Sequence, residues 1–221
     1  MRTLEIATAF GRANAHVNGA DSPRAGLVLG HGAGGGVQAK DLVAVADVAH
    51  SLGLTVALVE QPYRVAGRRS PAPAHQLDAA WIAVIEHLLA GEMRALSLVV
   101  GGRSSGARVA CRTAATTGAA GVLCLAFPLQ PPRRAGAEPA PSRLAELDAV
   151  TVPTLVVQGT RDPFGMPPAA EHRAVVQVAG DHSLRTDPGA VGEAVRAWLN
   201  SKGWAAAASR PSPQRPRSSQ G

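Results

Sequence analysis

The sequence predicts an α/β fold in which a mainly parallel sheet is flanked by helices. Short apolar runs alternate along the chain with segments of helical periodicity, and glycine or proline bounds most of the runs. Apolar residues make up 46% of the 221 residues, which is enough to bury a sizeable core. Such alternation is typical of βαβ units, in which crossover helices cover both faces of a parallel sheet.

The predicted strands are runs of small and branched apolar residues. Residues 3–17 are expected to add a short antiparallel piece at one edge of the sheet. The runs that predict the parallel strands are 25–29, 54–60, 95–100, 121–126, 153–158 and 174–178. Because continuous apolar runs are typical of strands covered on both faces, we expect these six strands to be buried.

Ordinary start and stop signals mark the predicted helices. Gly53 and Gly91 each follow an amphipathic segment and are expected to end it. Asp187-Pro188 has the form of an N-cap followed by a first-turn proline, so a last helix is expected to open there. The other predicted helices span 41–52, 77–90, 105–116 and 142–150.

Composition and charge exclude several classes of protein. The net charge of +6 includes three arginines in the final stretch, and no Lys/Arg run has interleaved aromatic residues, so we expect no nucleic-acid partner. No apolar run approaches the length needed to cross a bilayer, so no membrane association is expected. Two cysteines cannot build a secreted disulfide framework.

These observations predict a cytoplasmic protein with one folded domain. The start of the chain has no apolar stretch of signal-peptide length. Residues 1–202 are expected to form the domain. Residues 203–221 are rich in Ala, Ser, Pro and Arg and are expected to be a disordered tail, because they have too little apolar content to offset chain entropy.

Two glycine-rich turns follow predicted strands and suggest different chemistries. Gly30 to Gly35 satisfies the dinucleotide pattern G-x-G-x-x-G, and Glu60 at the end of the next strand is placed to hold a ribose hydroxyl. Gly102-Arg-Ser104-Ser-Gly106 satisfies G-x-S-x-G, the pattern of a nucleophile elbow, and it stands between a strand and a helix. Glu60 comes later than the dinucleotide spacing requires, so the elbow is favoured and nicotinamide binding is the rival.

Residues after two later strands fit the elbow. A serine hydroxyl needs a base to activate it, and the base needs an acid to orient it. Asp162 follows the run that ends at residue 158, and His182 follows the run that ends at residue 178. Acid and base thus come after Ser104 in the order that an elbow enzyme requires, each at the carboxyl end of a strand. We predict Ser104 as nucleophile, Asp162 as acid and His182 as base, with Asp148 as the rival acid.

The elbow also gives the first glycine cluster a function. Acyl transfer needs backbone N–H groups that bind the developing oxyanion. One is expected from Ser105, directly after the nucleophile, and another from the loop after the first parallel strand. Ala33 is our choice in that loop, with Gly34 next.

The expected substrate is a small acyl compound, and the mechanism needs neither a cofactor nor a metal. Tyr63, Arg64 and Arg103 stand in loops that follow strands and are the candidate substrate-binding residues. The arginines would attract an anionic substrate, and the alternative is that they are ordinary solvated side chains.

Several segments of the chain resemble the α/β-hydrolase superfamily, and the likeness covers about residues 3–200. The segments are His31-Gly-Ala-Gly-Gly-Gly36, Gln61-Pro-Tyr-Arg-Val-Ala-Gly-Arg-Arg69, Gly101-Gly-Arg-Ser-Ser-Gly106, Phe127-Pro-Leu-Gln-Pro-Pro132 and Gly159-Thr-Arg-Asp-Pro-Phe-Gly165. They are similar to a small subgroup of bacterial proteins labelled dienelactone-hydrolase-like. Its eukaryotic relatives include a subunit of the NSL histone-acetyltransferase complex.

The resemblance implies a compact hydrolase domain with little or no lid, and it places Ser104, Asp162 and His182 at the triad positions. True dienelactone hydrolases carry a cysteine where this chain has Ser104, and Gln130 stands where relatives are expected to have histidine. We therefore expect a serine hydrolase that cleaves a carboxylic ester, thioester or lactone. The alternative is a non-catalytic protein-interaction module, which the acetyltransferase-complex relative suggests.

Overall fold

The protein is built around one eight-stranded sheet. A computed structural model of the chain describes residues 1–131, 138 and 140–205. The strands are β1 (Arg2–Thr8), β2 (Gly11–Asn18), β3 (Ala25–Gly30), β4 (Thr55–Glu60), β5 (Ser97–Arg103), β6 (Gly121–Leu125), β7 (Thr154–Gly159) and β8 (Arg173–Val178).

The sheet is mainly parallel, as predicted. The strands lie in the order β1-β2-β4-β3-β5-β6-β7-β8. Strands β3 to β8 run in one direction, while β2 pairs antiparallel with β4 and β1 pairs antiparallel with β2. The antiparallel addition thus lies at one edge. Because β3, β5, β7 and β8 are parallel, the residues that follow them meet at the same end of the sheet.

Helices cover both faces of the sheet. They are α1 (Lys40–Ser51), α2 (Pro62–Val65), α3 (Ala74–Ala90), α4 (Ser105–Thr113), α5 (Leu144–Asp148) and α6 (Pro188–Ser201). Helices α1 and α6 bury Leu42 and Leu199 against one face, and α3, α4 and α5 bury Trp81 and Leu147 against the other. Among the described residues, no helix has both the length and the apolar character to span a membrane.

The ends of the helices follow local signals. The carboxylate of Asp187 accepts a hydrogen bond from the N–H of Ala190 at 2.9 Å, which caps α6 as predicted. Gly53 adopts a φ of 79°, which lets the chain turn away after α1. The helix predicted over 142–150 is shorter in the structure, where α5 spans Leu144–Asp148. The N–H of Arg143 pairs with the carbonyl of Leu129, and α5 starts at the next residue.

The C-terminal part of the fold differs from the prediction in two respects. Strand β8 is the edge strand of the sheet within the described residues, and Ala174, Val176 and Gln177 are exposed on it. Trp204 was predicted to belong to the tail, yet it is 9% exposed and packs against Trp198 with the ring centroids 5.0 Å apart. The fold therefore extends past residue 202, and residues 206–221 of the predicted tail lie outside the described part of the chain.

Candidate active site

Ser104 occupies the sharp turn between β5 and α4. Its φ of 52° and ψ of −108° are unusual for a residue with a side chain and store backbone strain. A Cβ at Gly102 would lie 2.4 Å from the carbonyl oxygen of Gly30, and a Cβ at Gly106 would lie 2.3 Å from the same atom. Glycine on both sides of Ser104 therefore allows β3 and α4 to come this close, as the elbow pattern predicts.

The side chains of Ser104, His182 and Asp162 form a hydrogen-bonded series. Oγ of Ser104 lies 2.9 Å from Nε2 of His182, and Nδ1 of His182 lies 2.8 Å from Oδ2 of Asp162. With Nδ1–H donating to the carboxylate, Nε2 of the neutral ring is free to accept the serine proton. The structure thus brings together the three residues that the sequence singled out as acid, base and nucleophile.

A close approach of two loops brings His182 to Asp162. The loop after β8 crosses directly over the end of β7, where a Cβ at Gly159 would lie 2.4 Å from the carbonyl oxygen of Asp181. Any side chain at Gly159 would push this loop away. Glycine at the last position of β7 therefore allows the loop after β8 to come close enough for His182 to reach Asp162.

Asp162 is held by more donors than His182 alone. Its side chain is 0% exposed, Oδ1 accepts from the N–H of Phe164 at 2.9 Å, and Oδ2 accepts from the side-chain amide of Gln158 at 2.8 Å. Sequence reasoning missed Gln158 as a functional residue. The only sequence signal for it was that a polar residue stands near the end of an otherwise apolar strand.

Phe164 also contacts the base. Its ring centroid lies 4.3 Å from that of His182, with an angle of 39° between the planes. The imidazole is thereby packed on one side by an aromatic face, which limits rotation of the ring. Nothing in the sequence pattern pointed to this contact, because Phe164 lies within the turn that follows Asp162.

The first glycine loop lies beside the nucleophile. A Cβ at Gly32 would be 3.7 Å from Cβ of Ser104. A residue that is not part of the loop holds it in place, since the hydroxyl of Tyr63 donates to the carbonyl of Ala33 at 2.9 Å. Ser105 is the first residue of α4, so its N–H has no acceptor within the helix. The predicted oxyanion donors Ser105, Ala33 and Gly34 therefore stand on two segments that adjoin Ser104.

His31 fixes the start of this loop. Its ring is buried, with Nδ1 2.9 Å from the carbonyl oxygen of Gly32, and Nε2 accepts from the N–H of Gln61 at 3.2 Å. Burial lowers the pKa of His31 below its ordinary value of 6.5, with a smaller lowering contribution from Arg64. The neutral ring therefore links the glycine loop to the segment after β4.

The candidate substrate-binding residues have different surroundings. Tyr63 lines a cavity of about 440 Å³ between the β1–β2 turn, α2 and the start of α3. Nη1 of Arg64 donates to the carbonyl of Arg68 at 3.2 Å. Arg103 contacts other parts of the protein: Nε lies 2.8 Å from Oδ2 of Asp41 and Nη2 donates to the carbonyl of His182 at 3.0 Å. The guanidinium of Arg103 is therefore paired within the protein and is not an ordinary solvated side chain.

The geometry of the glycine loop does not match a dinucleotide-binding turn. That turn leads directly into a helix whose N-terminus meets the pyrophosphate. Here α1 begins only at Lys40, after a loop that runs past Ser104. Within the described ranges, no three His, Cys, Asp or Glu side chains are grouped as a metal site would require.

Comparisons with known proteins point to one family. A family described as alpha/beta hydrolase domain matches residues 23–193. Est1E from Butyrivibrio proteoclasticus is 15% identical with a TM-score of 0.74, covering 91% of this chain and 99% of its own. XC6422 from Xanthomonas campestris, described as a serine hydrolase without lid, is 18% identical with a TM-score of 0.70, covering 93% of this chain and 95% of its own.

A third similar structure is a dienelactone hydrolase from Anabaena variabilis. It is 15% identical with a TM-score of 0.70, covering 93% of this chain and 98% of its own. No curated protein matches the chain significantly. At such low identities, the similarity to these solved structures shows the fold and does not show the function.

Proposed function

We propose that this chain, which belongs to the alpha/beta hydrolase family, is a serine hydrolase that cleaves a carboxylic ester, thioester or lactone. One observation carries the proposal. The hydroxyl of Ser104 lies 2.9 Å from Nε2 of His182, whose other ring nitrogen lies 2.8 Å from the buried carboxylate of Asp162. Hydrogen-bond reach between nucleophile and base, and between base and acid, is what activation of a serine requires.

Acylation begins at the hydroxyl of Ser104. Its oxygen attacks the substrate carbonyl while Nε2 of His182 takes the proton, and Asp162 stays ionised and stabilises the imidazolium. The N–H groups of Ser105 and Ala33 bind the oxyanion of the tetrahedral intermediate. The bond to the leaving group then breaks, and His182 returns the proton to the departing alcohol or thiol. Ser104 is left as an acyl ester.

Deacylation repeats the steps with water. His182 takes a proton from a water molecule while the oxygen of that water attacks the acyl ester of Ser104. The same N–H groups bind the second oxyanion. The intermediate collapses, His182 protonates Oγ of Ser104, and the carboxylic acid leaves. The complete cycle consumes one water molecule and returns Ser104 and His182 to their starting states.

Labelling and turnover measured together test the proposal. A fluorophosphonate reagent and a panel of short-chain esters, thioesters and lactones are applied to the wild type, to Ser104→Ala and to Ser97→Ala. Ser97 is exposed at the start of β5, at the end of the strand opposite to the one that leads into Ser104, and serves as the control. We expect the wild type and Ser97→Ala to be labelled and to hydrolyse at least one class. Ser104→Ala should do neither.

Two results would count against this assignment. Labelling that persists in Ser104→Ala would mean that another serine is the nucleophile. A folded wild type that is neither labelled nor active on any of the three substrate classes would favour the non-catalytic interaction module.

A further inference from the structure

Arg103 stands directly before the nucleophile and contacts three distant parts of the chain. Nε lies 2.8 Å from Oδ2 of Asp41 in the first turn of α1. Nη2 donates to the carbonyl of His182 at 3.0 Å. A Cβ at Gly32 would lie 2.9 Å from Nη1. A single guanidinium therefore lies next to the glycine loop, is paired with the helix that follows this loop and donates to the segment that carries the base.

Asp41 depends on this arginine. The carboxylate is 3% exposed, and a buried acid is unfavourable unless it is paired. Oδ1 accepts from the N–H of Leu42 at 3.0 Å, whereas Oδ2 has no hydrogen-bond partner among the described residues and is paired with the positive charge of Arg103. Because its partner is buried, Arg103 is held in one position rather than swinging freely in solvent.

We infer that Arg103 is a positioning residue, which holds the main chain of His182 in place beside Ser104. This role rests on the proposed hydrolase function. The guanidinium is a rigid planar fork, so Nε can lie beside the carboxylate of Asp41 while Nη2 donates to the carbonyl of His182. The side chain thereby links the segment carrying the base to the strand end carrying the nucleophile.

Lysine at this position would keep the charge and lose the fork. An ammonium group is a single point and cannot occupy the Nε and Nη2 positions together. Arg103→Lys should therefore keep Asp41 neutralised while it releases the carbonyl of His182. The catalytic side chains remain present, so the expected defect is in their alignment.

Steady-state kinetics on the ester that the wild type cleaves best tests this inference. Arg112→Lys is the matched control, because Arg112 is 20% exposed against 19% for Arg103 and is also paired with acids, the half-buried Asp78 and Glu146. We expect Arg103→Lys to lower kcat by about 10–100-fold, the scale of a small misplacement of reacting groups. KM should change little, and Arg112→Lys should keep the kcat of the wild type.

Asp41→Asn and the double variant Arg103→Lys/Asp41→Asn complete the series. If the two residues act as one unit, Asp41→Asn lowers kcat as well, and the double variant loses less than the product of the single losses. A merely structural role would lower the melting temperature of Arg103→Lys and Arg112→Lys alike, without separating their kcat values.

Hydrogen exchange gives a readout that does not need turnover. The amides of residues 179–186 should exchange faster in Arg103→Lys than in the wild type or Arg112→Lys. Unchanged exchange there, or a kcat equal to that of the wild type, would overturn the positioning role. A wild type without label or turnover would instead defeat the hydrolase proposal, and the exchange comparison would still decide whether Arg103 holds this segment.

Discussion

The side-chain amide of Gln158 donates to Oδ2 of Asp162 at 2.8 Å, and the same oxygen lies 2.8 Å from Nδ1 of His182. Gln158 is completely buried, and its amide nitrogen also lies 3.0 Å from the carbonyl oxygen of Phe127 and 2.9 Å from that of Gly165. One amide thus ties the carboxylate to two neighbouring loops. The acid is held by the core of the sheet as well as by the base.

Replacing Gln158 by leucine should affect both stability and activity. The two N–H groups that the amide shares among two buried carbonyls and the carboxylate would be lost, so the free energy of unfolding should fall by about 1–3 kcal/mol. Turnover should fall too, because Asp162 loses one of the groups that orient it. Urea unfolding and ester hydrolysis measure the two effects. Gln177→Leu, on the exposed part of β8, is the control and should change neither. An unchanged kcat in Gln158→Leu would show that the remaining donors suffice.

Asp162→Asn should leave the fold intact and remove most of the activity. The amide has nearly the same shape, but it cannot hold His182 in the tautomer that accepts the serine proton, and it cannot stabilise the imidazolium. A loss of about 10⁴-fold in kcat is expected from the effect of this change in another triad. Asp148→Asn, at the rival acid paired with Arg173, should retain activity. Equal kcat losses in the two variants would contradict the assignment of the acid.

The strained backbone of Ser104 can be measured by comparing two inactive variants. Ser104→Ala keeps Cβ at a φ of 52°, whereas Ser104→Gly removes it. Glycine tolerates such backbone angles, so Ser104→Gly should be more stable than Ser104→Ala by about 1–3 kcal/mol. This sign is opposite to the usual order, in which glycine is the less stable of the two. An alanine variant that is the more stable one would mean that the turn is not strained.

His31 predicts an acid-sensitive contribution to stability. Burial lowers its pKa below 6.5 in the folded protein, so the unfolded chain takes up the proton first as the pH falls. The stabilisation is full above the unfolded value and is lost as the pH falls through the lower folded pKa. Protonation at Nε2 also removes the acceptor for the N–H of Gln61.

Unfolding curves between about pH 7.5 and pH 5 test the contribution of His31. The wild type should lose more stability over this range than His31→Gln, whose amide can donate and accept without titrating. His87→Gln is the control, because His87 is exposed on α3. Identical pH dependence in the wild type and His31→Gln would contradict the role assigned to burial.

Local sequence signals were sufficient for the elements of the fold except the short helix α2, which was not predicted. Apolar runs, Gly53 and the Asp187-Pro188 cap act within a few residues, so the strand and helix positions follow from them with shifts of one to three residues at most ends. The common location of Ser104, Asp162 and His182 also follows from the sequence, because residues after parallel strands must meet at one end of the sheet. The boundary at residue 202 was set too early, since the burial of Trp204 depends on Trp198 in α6.

The sequence by itself determined the alternation of strands and helices and the order of nucleophile, acid and base, because both depend on short-range patterns. Only the tertiary structure decided that Arg103 faces Asp41 and binds the main chain of His182, 79 positions away. It also decided that Gln158 supports Asp162 and that β8 lies exposed at the edge. Such contacts depend on which strands become neighbours and where loops cross, and no local pattern encodes the partner of a polar side chain.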